Sequence, residues 1–167
     1  MENKINIINA AFEKFKHVQN EICYPLFDML RKINILEKDI FEKNEMLDNK
    51  YLSNAEPKPE LNSKDKLWSE FRQGYSKIVD NKCTDKLLKK GYGICFSSTP
   101  KYAYIDEKCD VIFTMEVPKK AVVEIHYSMG TIKAAHRFKF IMDKEKWLIN
   151  SFEYRTQKEG VWHRGSI

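Results

Sequence analysis

The feature that most constrains this chain is a change in the period of its apolar residues near Gly91 to Gly93. Before that point they recur at steps of three and four, and after it they alternate. The first spacing lines one side of a helix and the second lines one face of a strand, so the two parts cannot share a secondary structure.

In the first part, Ile8, Ala11, Phe12, Phe15, Val18 and Ile22 predict an amphipathic helix over Ile5 to Ile22, with Glu13, Lys14, Lys16 and Gln19 between them. A second helix is predicted from about Leu26 through Leu47, separated from the first or kinked at Tyr24-Pro25, because proline removes a backbone donor. The stretch Ser53 to Ser63, with Pro57 and Pro59 among polar residues, reads as a solvated loop. Ser63 then suits the N-cap of a third helix that carries Leu67, Trp68, Phe71, Tyr75, Ile78 and Val79 on one side. Thr84 to Lys90 adds a short helical turn that Gly91 ends.

In the second part, Tyr102 to Ile105, Val111 to Val117, Ala121 to Tyr127, Ile132 to Met142 and Lys146 to Tyr154 are rich in β-branched and aromatic residues. Pro118-Lys119, Ser128-Met129-Gly130 and Asp143-Lys144-Glu145 are the expected hairpin connections. Trp147 opens an apolar Trp-Leu-Ile run and is expected to be buried. Helices followed by consecutive hairpins predict an α+β fold: one domain over residues 1–167, helices mainly in 1–90, and an antiparallel sheet mainly in 94–167 covered by the helices.

With 43% hydrophobic residues in a chain of 167, one core is the expectation. No apolar run approaches the roughly 18 to 20 residues that cross a bilayer, and Met1 to Asn9 lacks the pattern of an export signal. Cys23, Cys83, Cys95 and Cys109 form no Cys-x-x-Cys pair, so reduced, buried thiols in a cytoplasm are expected. The net charge is +5, and from Lys119 onward ten Lys and Arg stand against five Asp and Glu. The rest of the chain is balanced. A basic final third steers acidic partners toward it.

Alternation places Ala121, Val123, Ile125 and Tyr127 on one face of their strand and Glu124 and His126 on the other. The next strand has Ala134, His136, Phe138 and Phe140 on one face and Lys133, Arg137 and Lys139 opposite. A hairpin about Met129-Gly130 brings Glu124 and His126 onto the face of the three cations. Two readings stand: a docking surface for an acidic partner, or a solvated sheet face held by cross-strand pairs. Arg155, Trp162, His163 and Arg164 extend the first reading, since Arg and Trp anchor interfaces, although Trp162 also suits closure of the core. His136, beside aromatic residues and with Tyr102 and Tyr104 as phenol donors, is a candidate for a cavity; a hydrogen-bonded core histidine is the plainer reading.

No nucleophile elbow, zinc-protease helix, phosphate-binding loop or zinc-module spacing occurs, and no cofactor motif is present. Basic residues among aromatics suit nucleic acid in principle, but the charge is modest and no RNA-recognition signature accompanies it. Neither a membrane nor nucleic acid is the expected partner.

Several segments together resemble one family: Trp68-Ser69-Glu70-Phe71 with Tyr75, Thr99-Pro100-Lys101-Tyr102-Ala103-Tyr104-Ile105, Lys120-Ala121-Val122-Val123-Glu124, His136-Arg137-Phe138, Lys146-Trp147-Leu148-Ile149, and Trp162. Over Lys64 to Ile167 the chain resembles the Rhs-associated, RhsIA-like immunity proteins of the nuclear transport factor 2 fold. The resemblance implies a cone-shaped α+β roll without catalytic function. Its partner would be the C-terminal domain of a cognate polymorphic toxin, neutralised by stoichiometric binding. The alternative, from other branches of that fold, is a small-molecule binder or enzyme that uses the conical cavity.

Overall fold

The computed structural model of the chain describes residues 5–52, 61–91 and 98–167, with the side chains of 50–52 and 61–62 excepted. Its order is β1 (Ile5–Asn9), a 3-10 turn (Glu13–Val18), α1 (Gln19–Leu52), α2 (Leu61–Val79), α3 (Asp85–Leu88), a second 3-10 turn (Ala103–Asp106), β2 (Cys109–Val117), β3 (Lys120–Met129), β4 (Ile132–Asp143), β5 (Lys146–Thr156) and β6 (His163–Gly165). The fold is α+β. The chain divides into two compact units: one holds residues 1–28, 81–93 and 104–167, and the other holds 29–80 and 94–103.

The first unit contains the six-stranded sheet, ordered β1 to β6 in sequence. Strands β2 to β6 are antiparallel neighbours; the alternating pattern predicts β2 to β5, and β6 lies beyond the expected strands. Alternate residues fill the buried face: Val111, Phe113, Val123, Ile125, Phe138 and Phe152 are each at most 1% exposed. The expected connections hold. Lys119 adopts φ 64° and Gly130 φ 59°, and Lys144 and Glu145 both take positive φ, which a two-residue hairpin turn requires. A register shift between Lys139 and Phe140 sets Ile149 into the core at 2% exposure. Trp147, expected to be buried, is half-buried beside the Asp143–Lys146 end of the hairpin.

The sheet is mixed, not wholly antiparallel, because Ile5–Asn9 departs from the helix expected over Ile5 to Ile22. It pairs in parallel with β2, Ile7 beside Val111, and the pairing continues through Ala10 N–H to Phe113 O at 2.8 Å and Phe12 N–H to Met115 O at 3.0 Å. The Ile-Asn-Ile-Ile-Asn run is itself β-branched and half alternating, and strand pairing outweighs the helical spacing it shares with later residues. Asn9 ends the strand: its Oδ1 accepts from Ala11 N–H at 3.2 Å and its Nδ2 donates to Lys16 O at 3.0 Å, seating the 3-10 turn.

Pro25 does not divide the next helix. It sits exposed inside α1, which runs unbroken through Leu52, contributing Gln19–Asp28 to the first unit and Met29–Leu52 to the second. Most of the expected loop, residues 53–60, lies outside the described residues, and α2 starts at Leu61, so Ser63 stands inside the helix rather than capping it. The short helical turn expected from Thr84 is α3, capped by the Thr84 hydroxyl accepting from Leu87 N–H, and Gly91 follows at φ 81°. Tyr92, Gly93 and Cys95 lie outside the described residues.

Within the second unit, α1 and α2 approach closely where Gly74 meets Leu36; a Cβ on Gly74 would stand 2.8 Å from the Leu36 side chain. Lys43 bridges Asp39 and Glu70, and Lys64 reaches Asp48 at 2.8 Å. The strand expected over Tyr102 to Ile105 is not one. Ala103–Asp106 is a 3-10 turn, and the backbone just before it is taken by side chains of α1: Asn34 Oδ1 accepts from Tyr102 N–H at 3.0 Å, Asn34 Nδ2 donates to Tyr102 O at 2.8 Å, and Glu37 Oε2 accepts from Lys101 N–H at 2.6 Å. Asn34 and Glu37, one turn apart, thus imitate a neighbouring strand. Burial raises the Glu37 carboxyl against the pull of the Lys101 backbone and charge, and pushes the Lys101 ammonium down to about 8.

Cys23, Cys83 and Cys109 are buried free thiols, and burial pushes Cys23 and Cys83 up to about 12. Among the described residues no helix is long and apolar enough to cross a membrane.

Candidate interaction surface on the outer sheet face

The face of the sheet opposite the apolar one carries a row of paired charges. Register sets Glu124 of β3 beside Arg137 of β4, Arg137 beside Glu153 of β5, and Glu153 beside Arg164 of β6. Arg137 presents Nε and Nη2 to Glu124 Oε1 at 2.8 and 2.7 Å, and Nη1 to Glu153 Oε2 at 3.3 Å. Lys139 Nζ completes Glu153 at 2.7 Å from Oε1. His126 Nε2 lies 3.1 Å from Glu124 Oε2, and this contact, with Arg137, holds the Glu124 carboxyl down at about 2. Glu153 is 8% exposed; burial works to raise its carboxyl, and the Lys139 and Arg137 contacts outweigh burial and hold it below the usual range.

Trp162, in the connection between β5 and β6, lies on this face and not in the core. The Arg137 guanidinium sits 3.7 Å and the Arg155 guanidinium 4.5 Å from its ring centre. Trp162 is half-buried. Two cations on one indole form a rigid shelf of apolar surface edged with hydrogen-bond donors.

Beside this shelf the side-chain lattice has a hole. Ala135 is the shortest residue of the β4 row, and its neighbours in register are His126 and Arg155. Together with Lys133, Gln157 and Gly160 they line a cleft of about 270 Å³. The turn that closes one end is fixed by Gln157 N–H to Lys133 O at 2.8 Å and Gly160 N–H to Thr156 O at 3.1 Å, with Gly160 at φ 68°.

Glu124, His126, Lys133, Arg137, Lys139, Arg155, Trp162 and Arg164 thus share one face, those of β3 and β4 by the alternation legible in the sequence. His163 is not among them: it pairs with Tyr154 on the other face and contacts Glu159 at 3.4 Å. Glu153 was missed, although its place between Phe152 and Tyr154 in an alternating strand is the signal that would have found it.

On the apolar face, His136 is 8% exposed and lies between two phenols, Tyr104 Oη at 2.7 Å from Nδ1 and Tyr127 Oη at 3.0 Å from Nε2. The two tyrosine rings stack at 4.0 Å, and Phe152 meets the imidazole edge-on at 4.9 Å. Burial raises both hydroxyls, Tyr104 strongly and Tyr127 to about 12, so each stays protonated at neutral pH and one donates while the other accepts. Tyr104 thus joins His136 as the sequence suggests, while Tyr102 belongs to the other unit, held there by Asn34. Tyr127, which alternation places on this face, supplies the second phenol.

No protein-family model, curated protein or solved structure matches the chain.

Proposed function

We propose that this chain is an immunity protein, which binds the toxic C-terminal domain of a cognate polymorphic toxin through the outer face of its sheet and blocks it stoichiometrically. The observation that carries the reading is the position of Trp162, held over the charged face by Arg137 and Arg155 instead of in the core. A partly exposed indole with flanking guanidiniums is the kind of group that anchors a protein interface. The segment resemblance supports the same reading, and the run of hairpins β2 to β5 after N-terminal helices supports the nuclear transport factor 2-like roll within it.

Both imidazole nitrogens of His136 are engaged by tyrosines, which favours a packing role for that residue over a general base awaiting substrate. The reading places the protein in the cytoplasm of the toxin-producing cell.

The test is co-expression in a bacterial host with the C-terminal domain encoded immediately upstream. Growth should be restored and a one-to-one complex should purify, and Trp162→Ala should raise its Kd at least about tenfold while keeping the circular dichroism unchanged. Absence of both protection and complex would overturn the proposal.

A further inference from the structure

The cations of the outer face are not equivalent. Arg137 and Lys139 are spent on Glu124 and Glu153. Lys133 and Arg155 meet no carboxylate among the described residues; Arg155 rests on Trp162, and the Lys133 backbone carbonyl, not its ammonium, takes the Gln157 amide. Glu159, the acid nearest the cleft in sequence, is turned to Thr156 at 3.2 Å and to His163. Apart from Arg164 at the β6 edge, the positive charge left over among these residues thus stands on the walls of the cleft over Ala135.

We infer that this cleft receives the carboxylate of an Asp or Glu side chain presented by the protein partner, with Lys133 and Arg155 as its counter-charges and the Ala135 methyl as its floor. The inference deepens the protein-binding reading above and rests on it. Size and charge argue together. At about 270 Å³ the cleft falls just below the usual range of small-molecule pockets and suits a side chain or two. A guanidinium already oriented by an indole loses little freedom on forming a bidentate carboxylate pair. The partner is therefore acidic where it meets β4 and β5.

The probe is acetylated hexaglutamate, titrated at low salt into the isotope-labelled full chain and followed by amide chemical shifts. Shifts should centre on Ala135, Arg155, Gln157 and Gly160. Affinity should fall at least about tenfold in the Lys133→Ala/Arg155→Ala double variant and in Ala135→Leu, which fills the cleft without changing charge, and should hold in Lys146→Ala at the far end of the β4–β5 hairpin. If Ala135→Leu fails to fold, the double variant decides alone. Absence of shifts at the cleft, equal weakening by Lys146→Ala, or tighter binding of an oligothymidylate at the same amides would each overturn the inference, the last by making the site one for phosphate. Growth rescue separates the two readings. A Lys133→Glu/Arg155→Glu variant that protects with unchanged Kd removes the cleft from the interface and leaves immunity standing; a wild-type chain that binds hexaglutamate at the cleft yet protects against no upstream domain removes immunity and leaves an acidic-peptide site.

Discussion

Glu153 shows how much a single side chain can organise on this sheet. It is nearly buried, yet two cations converge on it, so its charge is compensated and its neighbours are fixed in place. Replacing it by Gln should cost about 1 to 2 kcal/mol in urea unfolding, because charge-assisted bonds to Arg137 and Lys139 become neutral ones while part of the exposure of both cations softens the loss. A cost indistinguishable from zero would mean that the row of charges is ornament to the fold. His136 poses the complementary case. His136→Phe preserves the aromatic packing against Phe152 but leaves the Tyr104 and Tyr127 hydroxyls without the imidazole, so about 2 kcal/mol or more should be lost by the same measurement. The Glu124–Arg137 pair was legible from alternation plus one hairpin turn, since both are local. Glu37 was not: its ligand, the Lys101 amide, lies 64 positions away, and no period in the sequence encodes that meeting.

At the scale of elements, β2 to β5 were readable because each strand pairs with its neighbour in sequence, so local pattern and tertiary contact agree. The segments misread are those whose partners are distant. Ile5–Asn9 finds β2 about a hundred residues later, and Tyr102, where a strand was expected, finds the Asn34 side chain of α1. Pro25 was misread for another reason: a proline weakens a helix locally, but the buried residues on both sides of it, Ile22, Leu26, Phe27 and Leu30, hold the continuous helix together. The turn between β4 and β5 is poorly suited to its own sequence. Lys144 at φ 44° and Glu145 at φ 64° occupy left-handed backbone that favours Asn and Gly. The double substitution Lys144→Asn/Glu145→Gly should therefore raise the unfolding free energy by about 0.5 to 1 kcal/mol, and a decrease would show that the two side chains do more at the tip than the backbone suffers.

For the whole molecule, the basic excess of the final third was visible in composition, but not that the structure consumes part of it internally. Reversing Lys133, Arg137 and Lys139 together, a natural design from sequence, would set new carboxylates against Glu124 and Glu153 and break the sheet face rather than test a partner. Carboxyls of the two units are expected to act in opposite directions on acidification. Glu124, held at about 2, contributes stability that is fully present above its ordinary value of 4.5 and is lost as pH falls through about 2; Glu153, also held low, acts in the same sense. Glu37, raised by burial, contributes stability that is complete below 4.5 and is lost as pH rises through its raised value. On acidification from about pH 6 to about pH 3, amides of β3 to β5 should lose exchange protection, after correction for intrinsic rates, while those of Lys101 and Tyr102 hold or gain it. Glu124→Gln should flatten the acid loss by about 2 kcal/mol, somewhat less than its full shift implies because the group keeps some solvent screening, and Glu37→Gln should remove the opposing slope. Uniform loss of protection in both units over that range would contradict the assignment, since it would require the buried Glu37 and the paired Glu124 to titrate alike despite environments that drive them apart.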